Sequence, residues 1–155
     1  TKFPVIKPIS LVLPELSVDL FRSGRRSEVI SPKFSNCQLH DAIVRYRKFL
    51  VLKQLHPDAD IAPSRDIDDM WHLHMLSPVA YHCDCMRLFG YLLDHDGGFG
   101  HAEEELPVLQ KTFNQTAILW EQAFREPYVD SSNHASMTKC RRSCVSRCQR
   151  ACKVK

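Results

Sequence analysis

Between residues 66 and 81 the chain gathers Asp66, Asp68, Trp71, His72, His74 and Tyr81, and a second polar knot, Asp94-His95-Asp96, follows shortly after. Carboxylate oxygens and imidazole nitrogens are the usual donors of a zinc-type metal site and the usual proton carriers of acid–base catalysis. Inside a helical protein the same groups must also satisfy one another, because a buried polar group without a partner costs free energy. The stretch is therefore either a rigid polar network or a metal or catalytic site.

Helical phasing constrains both readings. Successive helical residues turn about 100°, so His72 and His74 point about 200° apart and cannot hold one ion from an intact helix. The i, i+4 histidine pair of a zincin helix is absent. Ile67, Met70, Trp71 and His74 share one side, whereas Asp68, Asp69 and His72 share the other, with His72 one turn after Asp68. One assignment makes Asp68 and His72 a ligand pair or a carboxylate–imidazole general base, completed by His95, Asp96 or His101 from a later loop. The other makes His74 a core histidine hydrogen-bonded to Asp94 or Asp96, and Asp66 a carboxylate that suits the positive end of a helix. Trp71, Tyr81 and Trp120 are expected as core aromatics, with the Tyr81 hydroxyl closing the polar network.

Four main helices must position these groups. The first begins at a Ser35 or Asn36 cap; Leu39, Ile43, Tyr46 and Leu50 recur at helical spacing, with Arg45, Arg47, Lys48 and Lys53 on the other face and His56-Pro57-Asp58 as the stop. The second covers 65–76 behind a Ser64 cap. The third covers 78–93, with Pro78 in its first turn. Its two apolar stripes, Val79/Cys83/Met86/Gly90/Leu93 and Tyr81/Cys85/Leu88/Leu92, make it the expected most buried helix. The fourth covers 106–124, along a stripe from Leu106 to Phe124. Pro4, Pro8, Pro14 and Pro32 forbid long helices before residue 36. The expected fold is all-α: a bundle of about four main helices over 37–129, an irregular N-terminal arm over 1–36 with a short helix near 16–22, a linker over 130–138 and a Cys/Arg-rich tail over 139–155.

The tail is where the charge is uneven. Residues 139–155 hold seven of the 21 Lys/Arg and none of the 18 Asp/Glu, so the net +3 divides into a basic tail and a body near −4. Cys140, Cys144, Cys148 and Cys152 recur every four residues. On one helix the first and last would lie about 18 Å apart, too far for one zinc ion. Half-sites completed by another chain, disulfides to Cys37, Cys83, Cys85 or a partner, lipidated thiols and free reactive thiols all stay open. Seven cysteines is an odd number, which argues against a complete disulfide framework within one chain. No run approaches the roughly 18 apolar residues of a membrane span. No signal peptide is recognised in a chain that opens at Thr1, and the expected location is cytoplasmic.

The order Asp66, Asp68, Trp71, His72, His74, Pro78, Tyr81, then Gly90, then Asp94-His95-Asp96 resembles the glycine-rich domain-containing protein family over about residues 38–128, including Thr116, Trp120 and Tyr128. The resemblance implies a mostly helical protein and, for the plant members, an association with growth and stress responses. It implies no settled catalytic activity. Within these 155 residues there is no long glycine-rich stretch like that of the plant pattern; a Cys/Arg-rich segment is present instead.

Three functional readings follow. The first is a non-enzymatic helical interaction or scaffold module with an Asp/His polar network and a tail that binds metal, forms disulfides or contacts a protein partner. It fits the lack of a nucleophile motif or phosphate loop. The second is a metal-dependent, hydrolase-like enzyme using Asp68, His72, His95 and Asp96, with zinc as the ion considered. The third is nucleic-acid binding through the basic tail, which predicts salt-sensitive affinity lost on deleting 139–155. Oligomeric state is left open.

Overall fold

The computed structural model describes residues 12–95 and 102–129. Asp96, His101, the linker and the tail cysteines lie outside the described residues. Five α-helices occur in the order α1 (Leu20–Arg26), α2 (Asn36–Leu55), α3 (Arg65–Met75), α4 (Pro78–Phe89) and α5 (Leu106–Phe124), with 3-10 turns at Ser31–Lys33 and Glu103–Glu105. Among the described residues there is no strand. The described residues form an all-α body.

α2 is the long organising helix. The Ser35 hydroxyl accepts from the Gln38 backbone N–H at 3.2 Å and the Gln38 side chain accepts from the Ser35 N–H at 2.9 Å, a reciprocal cap that starts the helix one residue on. Leu39, Ala42, Tyr46, Phe49 and Leu50 turn inward. Lys53, expected on the solvent face, is fully buried. Its ammonium donates to the Ala59 carbonyl of the following loop at 2.6 Å.

α3 is packed against α1, α2 and α4. Ile67, Met70, Trp71, Leu73 and His74 are buried, and so are Asp68 and Asp69. The expectation that the helix beginning at Pro78 would be the most buried does not hold. On α4, Val79 is 76% exposed and Met86 44%, and only Tyr81, Asp84 and Cys85 are buried. α4 is an outer helix that covers α3 with a single face, so one of its two apolar stripes stays in water.

α4 also stops four residues before its expected end. Gly90 takes a left-handed conformation at φ 77°, which favours glycine, and closes the last turn through its N–H to the Met86 carbonyl. The chain then doubles back, placing Leu93 in the core and His95 against α3.

The segment expected as an arm is, from residue 12 onward, laid against the body. Its helix begins at Leu20 rather than near residue 16, because the Asp19 side chain caps it by accepting from the Arg22 N–H at 3.0 Å. Ahead of that helix, the Arg47 guanidinium donates to the Pro14 carbonyl at 2.8 Å and the Leu13 carbonyl at 3.1 Å. Gly24 lets α1 approach α2: a Cβ there would lie 2.9 Å from a Leu39 methyl carbon. Leu20 and Ile30 are buried in the same core as α2 and α3.

At the far end, Trp120 of α5 and Tyr128 from the segment after it close the body, both fully buried. Arg45 of α2 crosses both rings, at 5.1 and 5.4 Å from their centroids, and donates to Asp66 at 2.7 Å and to the Tyr128 carbonyl at 2.9 Å. No helix among the described residues is long and apolar enough to cross a membrane.

Candidate metal centre

The two histidines of α3 stand on opposite sides of the helix and meet different company. His74 faces inward and is 1% exposed. Its Nδ1 lies 2.8 Å from the Tyr46 hydroxyl, and its Nε2 lies 2.8 Å from Asp84 Oδ2. Asp84 also accepts from the Ser17 backbone N–H at 2.9 Å, the Ser17 hydroxyl at 2.6 Å and Arg87 at 3.0 Å. Burial alone would raise the Asp84 carboxyl, but the bonds from Ser17, Arg87 and His74 outweigh it and hold the group below the usual carboxylate range. Burial pulls His74 down from the ordinary histidine value, with Asp84 opposing. A neutral ring that donates from Nε2 to the carboxylate and accepts from the tyrosine at Nδ1 satisfies every atom.

This corrects the expected partner of His74. The carboxylate is Asp84 and not Asp94, which is exposed; Asp96 lies outside the described residues, and both ring nitrogens of His74 are already taken by Tyr46 and Asp84. Asp84 lies at i+3 from Tyr81 and next to Cys85, on the α4 stripe that does become buried. An aspartate in that stripe was the readable sign. Tyr46 offered no comparable sign among the other inward residues of α2.

Tyr81 forms the bridge between the two sides. Its hydroxyl accepts from Trp71 Nε1 at 2.9 Å and donates to the Leu93 carbonyl at 2.5 Å, and burial raises its pKa. The Leu93 bond fixes the backbone two residues before His95. Asp66 belongs to neither histidine cluster: it pairs with Arg45 and accepts from the Ser64 hydroxyl at 2.5 Å.

Outward, Asp68, His72 and His95 converge. His95 Nε2 lies 3.0 Å from Asp68 Oδ1 and 3.1 Å from His72 Nε2, and His72 Nε2 lies 3.4 Å from Asp68 Oδ1. The side chains of Asp68 and His95 are 7% and 6% exposed and that of His72 is 38% exposed, so the centre opens to solvent on the His72 side. The Trp71 ring edges onto His95 at 4.6 Å and 80°, which fixes the orientation of that imidazole.

Three atoms at these separations could hold one metal ion. Zinc–nitrogen and zinc–oxygen bonds of about 2.0–2.1 Å in tetrahedral geometry set donor atoms about 3.3 Å apart.

Beside this centre is a cleft of about 240 Å³, lined by Asp68 and His72 together with Lys33, Arg65, Asp69 and apolar side chains. Lys33 bridges to Asp69 at 3.2 Å; burial raises the Asp69 carboxyl and Lys33 partly reverses this. Neither cation was singled out in the sequence, because a lysine in a 3-10 turn and an arginine at a helix start carry no pattern. Cys37, Cys83 and Cys85 form no disulfide among the described residues.

Residues 19–84 match the family described as glycine-rich domain-containing protein-like. Glycine-rich domain-containing protein 1 of Arabidopsis thaliana is 33% identical over 132 residues, covering 83% of this chain and 15% of its own length. Glycine-rich domain-containing protein 2 of the same plant is 31% identical over 94 residues, covering 58% of this chain and 12% of its own length. The chain thus spans less than a sixth of either curated relative. No solved structure matches it.

Proposed function

We propose that this chain, which belongs to the glycine-rich domain-containing protein-like family through residues 19–84, is a helical module built around a metal centre at Asp68, His72 and His95. The observation that carries the reading is the triangle of donor atoms with edges of 3.0, 3.1 and 3.4 Å. One carboxylate and two imidazoles suit zinc among the common divalent ions. Asp68 and His72 are preset by their i, i+4 spacing on α3, and His95 is delivered by the turn at Gly90 and the Tyr81–Leu93 bond. The ion would supply a fixed positive charge and one further coordination position. The module otherwise works by presenting this centre on a rigid scaffold.

The test is metal content of protein purified without a histidine tag. One zinc per chain is expected, falling to near zero in His95→Ala and His72→Ala while circular dichroism stays helical. Equal metal content in the wild type and both variants overturns the reading.

Hydrolysis is the second reading, favoured by the cleft beside the centre. Three protein ligands with a fourth position open to water is the usual arrangement of catalytic zinc. It requires zinc-dependent turnover of an activated ester or phosphoester that His95→Ala abolishes. A zinc-loaded wild type no faster than His95→Ala would leave the module without chemistry of its own.

A further inference from the structure

We propose that the cleft beside the candidate metal centre binds a small organic anion, a carboxylate with a short apolar body, and does so only when the metal is in place. The inference rests on the metal reading above and goes beyond it by assigning the ligand class.

Charge is the first argument. Four ionisable side chains besides His72 line the cleft: Lys33, Arg65, Asp68 and Asp69. Their formal charges cancel, so the walls without metal have no net attraction for an anion. A divalent ion on Asp68, His72 and His95 makes the same walls doubly positive. Fields in a partly enclosed cleft are screened less than on an open surface, so the added charge acts at close range.

Shape and polarity give the second argument. Among the exposed large apolar residues, Val29 at 68% and Leu76 at 78% both line this one cleft, with Ile30 and Leu73 deeper in it. A purely inorganic anion would leave those side chains in water. A carboxylate carrying two or three methylenes covers them, and each buried CH₂ adds favourable transfer free energy. The volume of about 240 Å³ is below the usual range for drug-sized ligands, which points to a small molecule.

Hydrogen-bond geometry adds a third. The Lys33 ammonium has three donors. It meets the Asp69 oxygens at 3.2 and 3.4 Å, longer than the usual charge-assisted bond, and a ligand carboxylate on the metal side would compete for it on good terms.

The experiment is calorimetric titration of the full chain, zinc-loaded and zinc-stripped, with butyrate, acetate and inorganic phosphate as probes. Butyrate is expected to bind the zinc-loaded form once per chain, more tightly than acetate or phosphate, and at least about tenfold more weakly to the stripped form. Lys33→Gln and the rim variant Val29→Asp should each weaken butyrate about tenfold while leaving one zinc per chain. Val29 is exposed, so the second variant keeps the fold even where removing Lys33 disturbs Asp69. Zinc retained with no butyrate binding, equal binding with and without zinc, or phosphate binding more tightly than butyrate each overturns the inference and leaves the metal reading standing. Failure of the wild type to hold zinc overturns both.

Discussion

His72 and His74 are two residues apart on α3, yet they belong to opposite kinds of polar cluster. Around His74 the donors and acceptors match: Tyr46, Asp84, Ser17 and Arg87 leave neither ring nitrogen nor carboxylate oxygen without a contact. Around His72 the polar atoms of Asp68, His72 and His95 converge within 3.0–3.4 Å on the opposite side of α3. The first cluster is closed and buried, and its work is done on folding. The second is open to solvent on the His72 side. Residue type does not separate the two histidines; their burial and their neighbours do.

Substitution should separate the clusters by size of effect. His74→Ala leaves Asp84 buried with a missing partner and should cost about 3 kcal/mol or more in urea unfolding. A loss under about 1 kcal/mol would erase the contrast. Tyr81→Phe comes next. It strands the Trp71 N–H and the Leu93 carbonyl, so about 2 kcal/mol should be lost, together with weaker zinc affinity as the His95 segment loosens. Unchanged zinc affinity would show that the bridge between the two sides is inert.

Ser17→Ala removes one bond to Asp84 at the edge of the closed cluster, for about 1 kcal/mol. It also sharpens a pH test. The folded Asp84 carboxyl lies below its unfolded value, so its stabilisation is complete above the ordinary carboxylate range and is lost as pH falls through the depressed folded value. The wild type should keep its urea midpoint down to about pH 4 and lose stability below it. Ser17→Ala should lose less over the same acid range, because its folded Asp84 carboxyl lies nearer the unfolded value. Superimposable profiles would remove Asp84 from the account. The smallest change belongs to the open cluster: His72→Ala without metal should stay within about 1 kcal/mol of the wild type, since that side chain is 38% exposed.

Much of this contrast was readable beforehand. The 100° turn per residue was enough to put His72 and His74 on opposite sides and to group Asp68 with His72. The bounds of α5 and the Ser35 start of α2 also follow from local patterns. What local patterns miss is the choice of which apolar stripe becomes buried. α4 offers two, and only its packing on α3 decides between them, so Asp84 went unrecognised as the partner of His74. The same limit hid Lys53, whose ammonium finds its carbonyl only once the 56–63 loop has folded over it. His95 was named as a ligand candidate from its neighbours Asp94 and Asp96, but its delivery to α3 depends on Gly90 ending α4 early.

One contact described above turns the molecule into its own instrument. The Trp71 indole is sealed from solvent and stands edge-on to the His95 ring, while the other indole, Trp120, is enclosed by Arg45, Phe124 and Tyr128. Anything that alters the electrical surroundings of that imidazole will change the light one tryptophan emits and leave the other as a steady internal standard.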